Sequence, residues 1–196
     1  MADVIIGEAR WERMIRAVER VRERLVRAAA ALEVHGIPYA VTGGNAVAAW
    51  VARVDEAAVR NTQDVDIILR RADLDAAEDA LKEAGFTHCS TAGVESFLDG
   101  PDGKSRDAVH VIFAGGKVRP DQLSPTPDPS ESEMTPWFRL LRLDSLVRME
   151  LSSFCLNDRV DLGDLIDVGL VDESWLGSLP EELAPRLRRL LDDREG

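Results

Sequence analysis

Two aspartates, Asp64 and Asp66, stand two positions apart at the head of a β-branched run, Val65, Ile67, Ile68 and Leu69. Side chains alternate across a strand, so both carboxylates project from the same face. Paired carboxylates repel and lose hydration where they are partly buried, and a cation or a donor cluster relieves that cost. Mg²⁺ is the fitting cation, because it takes oxygen ligands, uses one or two carboxylates and shares the remaining positions with water and substrate phosphate. About twenty residues upstream, Thr42, Gly43, Gly44 and Asn45 form a glycine turn between a short strand, 39–41, and an alanine-rich helix, 46–52. Strand, glycine turn and helix in that order present backbone N–H groups and the positive helix end to a phosphate. Each half also has a plainer reading, a tight turn with close helix packing and a strand end lying in water.

Taken together, Gly43, Gly44, the helix after them and the frame Arg60, Thr62, Asp64, Asp66 resemble the nucleotidyltransferase superfamily. The resemblance is to its minimal branch, which holds toxins of toxin–antitoxin and abortive-infection systems and small aminoglycoside and lincosamide nucleotidyltransferases. The matched block runs from residue 37 to about 115. It implies an α/β fold, a short mixed sheet flanked by helices, followed by a helical C-terminal segment. It implies Mg²⁺-dependent transfer of a nucleoside monophosphate from an NTP such as ATP to an acceptor hydroxyl. Under it, Thr42, Gly43, Gly44, Asn45, Arg60 and Thr62 bind the nucleotide, and Asp64 and Asp66 are catalytic and hold the metal. The family carries a third acid on a later strand, where this chain has His110 between Val109 and Val111. A neutral imidazole accepts a proton near pH 7, so His110 is the candidate third catalytic group, although it is a poorer Mg²⁺ ligand than a carboxylate. Asp107, three residues earlier, points to the opposite strand face. Glu150 stands where relatives often place a phosphate-binding lysine. These two departures keep open an alternative, a catalytically degenerate nucleotide-binding or protein-interaction module of the toxin–antitoxin kind.

The elements that must position these groups follow from periodicity. Trp11, Met14, Val18, Val21, Leu25, Ala28 and Leu32 repeat by three and four, giving a long amphipathic helix that Gly36 and Pro38 end. A core-facing helix is the expected reading, over a coiled-coil seam, with its interleaved Arg and Glu as a solvated face. Downstream, Asp73 caps a helix closed by Gly85, and 86–90, 94–98 and 108–113 read as strands. Residues 114–136, with Gly115, Gly116 and five prolines, read as a connecting loop or lid. Asp144 caps a helix with Leu146, Val147, Leu151 and Phe154, 161–168 forms a short one, and a capping box at 178–181 starts a closing helix. Asp158, Asp161 and Asp164 are expected on solvated faces. The chain thus divides into an N-terminal amphipathic helix (1–36), a nucleotidyltransferase-like core (37–118), a Pro-rich loop (119–136) and a helical C-terminal segment (137–196).

Composition narrows the partners. The 196 residues carry a net charge of −12, with seventeen acids against eight bases in residues 121–196, and a mean hydropathy of −0.15. Such a field disfavours general polyanion binding and suits a cationic acceptor or partner. The acceptor itself, RNA, protein or cationic small molecule, is left open, as is a cognate protein partner. No apolar run reaches a bilayer span and residues 1–10 hold no leader pattern, so a cytoplasmic location without membrane association is expected. Cys89 and Cys155 show no metal-ligand spacing and read as small apolar residues.

Overall fold

Tyr39–Thr42 is a strand of four fully buried residues (β1), and a strand with no wet face needs cover on both sides. The computed structural model describes residues 8–91 and 93–195; the first seven residues of the expected N-terminal segment lie outside that description. β1 lies inside a seven-stranded mixed sheet with Val65–Leu69 (β2), Phe86–Thr91 (β3), Val94–Asp99 (β4), Ala108–Phe113 (β5), Ser132–Met134 (β6) and Arg139–Leu141 (β7), in the order β3-β4-β5-β2-β1-β7-β6. β1 runs antiparallel to β2, with Thr42 opposite Asp66, and parallel to β7, with Val41 opposite Leu140. β2 runs parallel to β5, which sets Asp66 directly beside His110.

Helices Glu8–Val34 (α1) and Leu74–Glu83 (α3) cover one sheet face, where Leu25, Leu32 and Leu81 meet Val65, Ile67 and Val109. Gly43–Val51 (α2), Leu143–Ser153 (α4), Leu156–Asp167 (α5) and Ala184–Glu195 (α6) belong to the other, where Val47, Leu146, Leu162 and Leu187 pack with Ala40, Ile68 and Leu140. The alternation of β2 therefore delivers its odd residues to α1 and α3 and leaves Asp66 on the side of α2, α4 and α5. Asp107 goes the other way and pairs with the buried Arg24 of α1 at 3.7 Å, in keeping with the opposite-face expectation.

The mixed sheet with flanking helices is the expected architecture, with several local differences. β6 falls inside the segment expected as loop and β7 inside the expected helical segment; at three residues each they carry no periodicity to read. α5 starts at Leu156, five residues early, because Asp158 takes the Cys155 N–H at 2.6 Å. α6 starts at Ala184, after the expected box at 178–181. The residue before α4 is Arg142, with Asp144 in the first turn, where Arg148 donates to it at 2.9 Å. The long helix is core-facing only in its second half: Leu25, Ala28 and Leu32 are buried, whereas Trp11, Met14 and Val18 are exposed.

Candidate active site

β1 passes directly into α2, and the junction requires glycine for two reasons. Gly43 has φ +60°, and a Cβ built on it would lie 2.6 Å from Oδ2 of Asp66. Gly44 is not in the left-handed region; its Cβ would meet Cβ of Thr62 at 3.0 Å. The glycines thus let the start of α2 close down on Asp66 and Thr62. The Thr42 side chain makes no cap bond to α2; its Oγ1 donates instead to Sδ of Met149 at 3.4 Å. No acidic residue stands in the first turn of α2, so its N–H end retains its positive character. Asn45 Nδ2 donates to the Asp64 carbonyl at 2.6 Å, which holds the lead into β2 against the turn.

Gly43, Gly44, Arg60, Thr62, Asp64 and Asp66 line one cleft of about 400 Å³, and the opposite wall comes from α4, α5 and the loop after β5. His110 is half-buried beside Asp66; the lining reaches β5 at Ile112, two residues on. Thr42 and Asn45 do not line the cleft: Thr42 is tied to Met149 of α4 and Asn45 to the Asp64 carbonyl.

The α4 and α5 wall is acidic. Glu150 is 4% and Asp161 7% exposed, and Asp158 lines the cleft between them and the α4–α5 junction. The expectation that Asp158 and Asp161 lie on solvated faces is corrected here. Arg60 extends across to α5, donating through Nε to Asp164 at 2.8 Å and through Nη2 to Asp161, so its guanidinium is held by two carboxylates. Asp164 is half-buried by the same pairing. The one sequence signal for these acids is position: Glu150 falls three and four residues from Val147 and Leu146, and Asp161 four from Leu165, on the apolar stripes themselves.

Burial dominates the protonation of this wall. It lifts the Asp66 carboxyl to about 7, with the charges of Asp64 and Asp161 adding to the effect. Glu150 is pushed well above the carboxylate range by burial and then by Asp158 and Asp161. Asp161 rises to about 6 through burial, against the pull of Arg60. Among the described residues, no group of three or more His, Cys, Asp or Glu is arranged to hold a metal on its own. The chemistry of the Asp64 and Asp66 pair fits a divalent ion that completes its shell with phosphate oxygens and water.

The family model of uncharacterised nucleotidyltransferases matches residues 8–118, more than half of the 196 residues, and the chain belongs to that family. The fold is similar to that of an antigenic nucleotidyltransferase-like protein from Paracoccidioides brasiliensis, at 16% identity and a TM-score of 0.57, covering 90% of this chain and 89% of the other. The antibiotic-resistance factor ANT(2'')-Ia matches at 14% identity and TM-score 0.47, covering 91% of this chain and 84% of that one. A nucleotidyltransferase described as putative in Helicobacter pylori matches at 15% identity and TM-score 0.47, covering 91% and 76%. No curated protein matches the chain by sequence.

Proposed function

We propose that the chain transfers a nucleoside monophosphate from an NTP to an acceptor hydroxyl. The observation that carries this reading is the junction at Gly43, where the start of a helix without a side-chain cap closes on the Asp66 carboxylate. Asp64 and Asp66 would hold Mg²⁺, which supplies neutralisation of the charge that develops on the phosphoryl oxygens. The α2 N–H groups face the phosphates. The acceptor oxygen attacks the α-phosphorus, the bond to the bridging oxygen breaks, and pyrophosphate leaves. His110, adjacent to Asp66 on β5, would take the hydroxyl proton. Of the described residues lining the cleft, Asp64, Asp66, Asp158 and Asp161 stand against a single cation, Arg60, so the acceptor suited to it carries amines near its hydroxyl.

The second reading, a nucleotide-binding module without turnover, draws on the absence of a carboxylate at His110 and on the engagement of Arg60 by Asp161 and Asp164. Incubation with α-labelled NTPs, Mg²⁺ and amine-bearing, RNA and protein acceptors decides between them. Transfer lost on EDTA treatment supports the enzyme. Mg²⁺-dependent NTP binding with no transfer to any acceptor supports the module, and absence of Mg²⁺-dependent binding overturns both.

A further inference from the structure

Four residues of the cleft lining carry no charge and play no part in the phosphate and metal chemistry proposed above. They are Ile112 of β5, Val118 and Gln122 of the following loop and Met149 of α4. Gln122 is 2% exposed, and its orientation is fixed by one contact: its Oε1 accepts the Val118 N–H at 2.8 Å. That contact engages the amide oxygen and leaves the NH₂, a donor only, for a further partner.

The loop that carries Gln122 is a fixed wall. Ser152 of α4 accepts the Ser124 N–H at 2.6 Å and donates to the Ser124 carbonyl at 3.0 Å, and its own carbonyl accepts the Leu123 N–H at 3.2 Å. Arg119 reaches the Ser153 carbonyl at 3.3 Å. The segment expected as a connecting loop or lid is thus a loop bonded to the end of α4, a strap.

A donor among apolar side chains, beside a cleft whose other part suits phosphate and metal, has the chemistry of a nucleobase seat. The planar ring lies against Ile112, Val118 and Met149, and a ring nitrogen or carbonyl oxygen accepts from Gln122. A donor-only amide repels an ammonium, so an amine-bearing acceptor goes to the carboxylates and leaves this end to the base. We propose that Gln122 reads a hydrogen-bond acceptor on the base of the nucleotide. This rests on the reading of the cleft as an NTP site.

The test is calorimetric titration of the full chain, in Mg²⁺, with ATP, GTP, CTP, UTP and inorganic tripolyphosphate. The wild type is expected to bind at least one NTP about tenfold or more tighter than tripolyphosphate. Gln122→Met removes the donor. Gln122→Glu keeps an oxygen for the Val118 N–H, and with it the strap, but presents an acceptor. Both variants are expected to cut the advantage of the preferred NTP over tripolyphosphate by roughly fivefold to tenfold. An unchanged ratio in Gln122→Glu overturns the proposal even if Gln122→Met fails to fold. NTPs that bind wild type no better than tripolyphosphate also overturn it, while leaving the phosphate and metal site standing. Failure of every probe to bind overturns that site as well.

Discussion

At the scale of single residues, the cleft depends on what Gly43 and Asp66 do to one another. A Cβ at 43 meets Oδ2 of Asp66 at 2.6 Å on a backbone with φ +60°, so Gly43→Ala is expected to cost about 1–3 kcal/mol in stability and to displace the carboxylate. Gly44→Ala meets only the Thr62 side chain at 3.0 Å, without a left-handed backbone, and should be milder on both counts. Urea unfolding and Mg²⁺-dependent NTP titration of the two variants check the order; equal effects would show that the Asp66 contact is not what the glycine serves. Asp66→Asn is expected to abolish Mg²⁺-dependent NTP binding without loss of the metal-free fold, because the substitution removes a carboxylate lifted by burial and by Asp64. Retained binding would remove Asp66 from the metal site. His110→Ala is expected to lower kcat and leave the NTP Kd in place; turnover indifferent to the change would exclude it as the base.

Elements explain how far the sequence alone reached. The Asp64 and Asp66 pair and the glycine turn are local patterns, legible because a strand and a tight turn fix their own side-chain directions. Glu150, Asp158 and Asp161 are not local. A helical acid reads as solvated until another element covers it, and here α4 and α5 place theirs over the ends of β1 and β2. Arg60 sits in the expected frame, yet its direction is set by Asp161 and Asp164, about a hundred residues away. β6 and β7 stay hidden because three residues are too few for an alternation, and β7 is recruited by its pairing with β1. At this scale the strap after β5 gives a prediction. Ser152→Ala orphans the Ser124 N–H and carbonyl together, an expected cost of about 1–3 kcal/mol, with faster proteolysis within 114–128. Unaltered cleavage and unfolding would show that the strap is held elsewhere.

For the whole molecule, the acidic cleft sets the response to pH. Asp66 and Asp161 titrate near 7 and 6 when folded, against about 4 in an unfolded chain, and Glu150 is displaced in the same direction. Between pH 4 and 7 the folded protein holds more protons than the unfolded one, so its stability falls as pH rises. Below that window the sign reverses. Arg70 holds the Asp128 carboxyl far under its usual range through a bidentate pair at 2.7 and 2.8 Å, and this contribution is lost on acidification. The metal-free Tm is therefore expected to be higher at pH 5 than at pH 7.5, by about 2–4 °C for each kcal/mol that these raised carboxyls contribute. Differential scanning calorimetry in EDTA checks this, and Asp66→Asn should flatten the slope; a Tm that rises over the same interval would mean that the wall is not desolvated.

The parallel pairing of β1 with β7 has a kinetic consequence. Val41 and Leu140 stand 99 residues apart, and β2 and β5 are joined in register across the helix and hairpin between them. Closing such distances costs chain entropy before any contact repays it, so both pairings belong to the slow, late part of folding. The cleft draws on α2, β2, the strap, α4 and α5, and no local stretch of chain holds a working fraction of it. Amide protons of Val41 and Ile67 should consequently exchange only through global opening, while those of the exposed N-terminal turns of α1 exchange by fraying. A complete cleft then arrives in one step with the last strand and is surrendered in one step on denaturation.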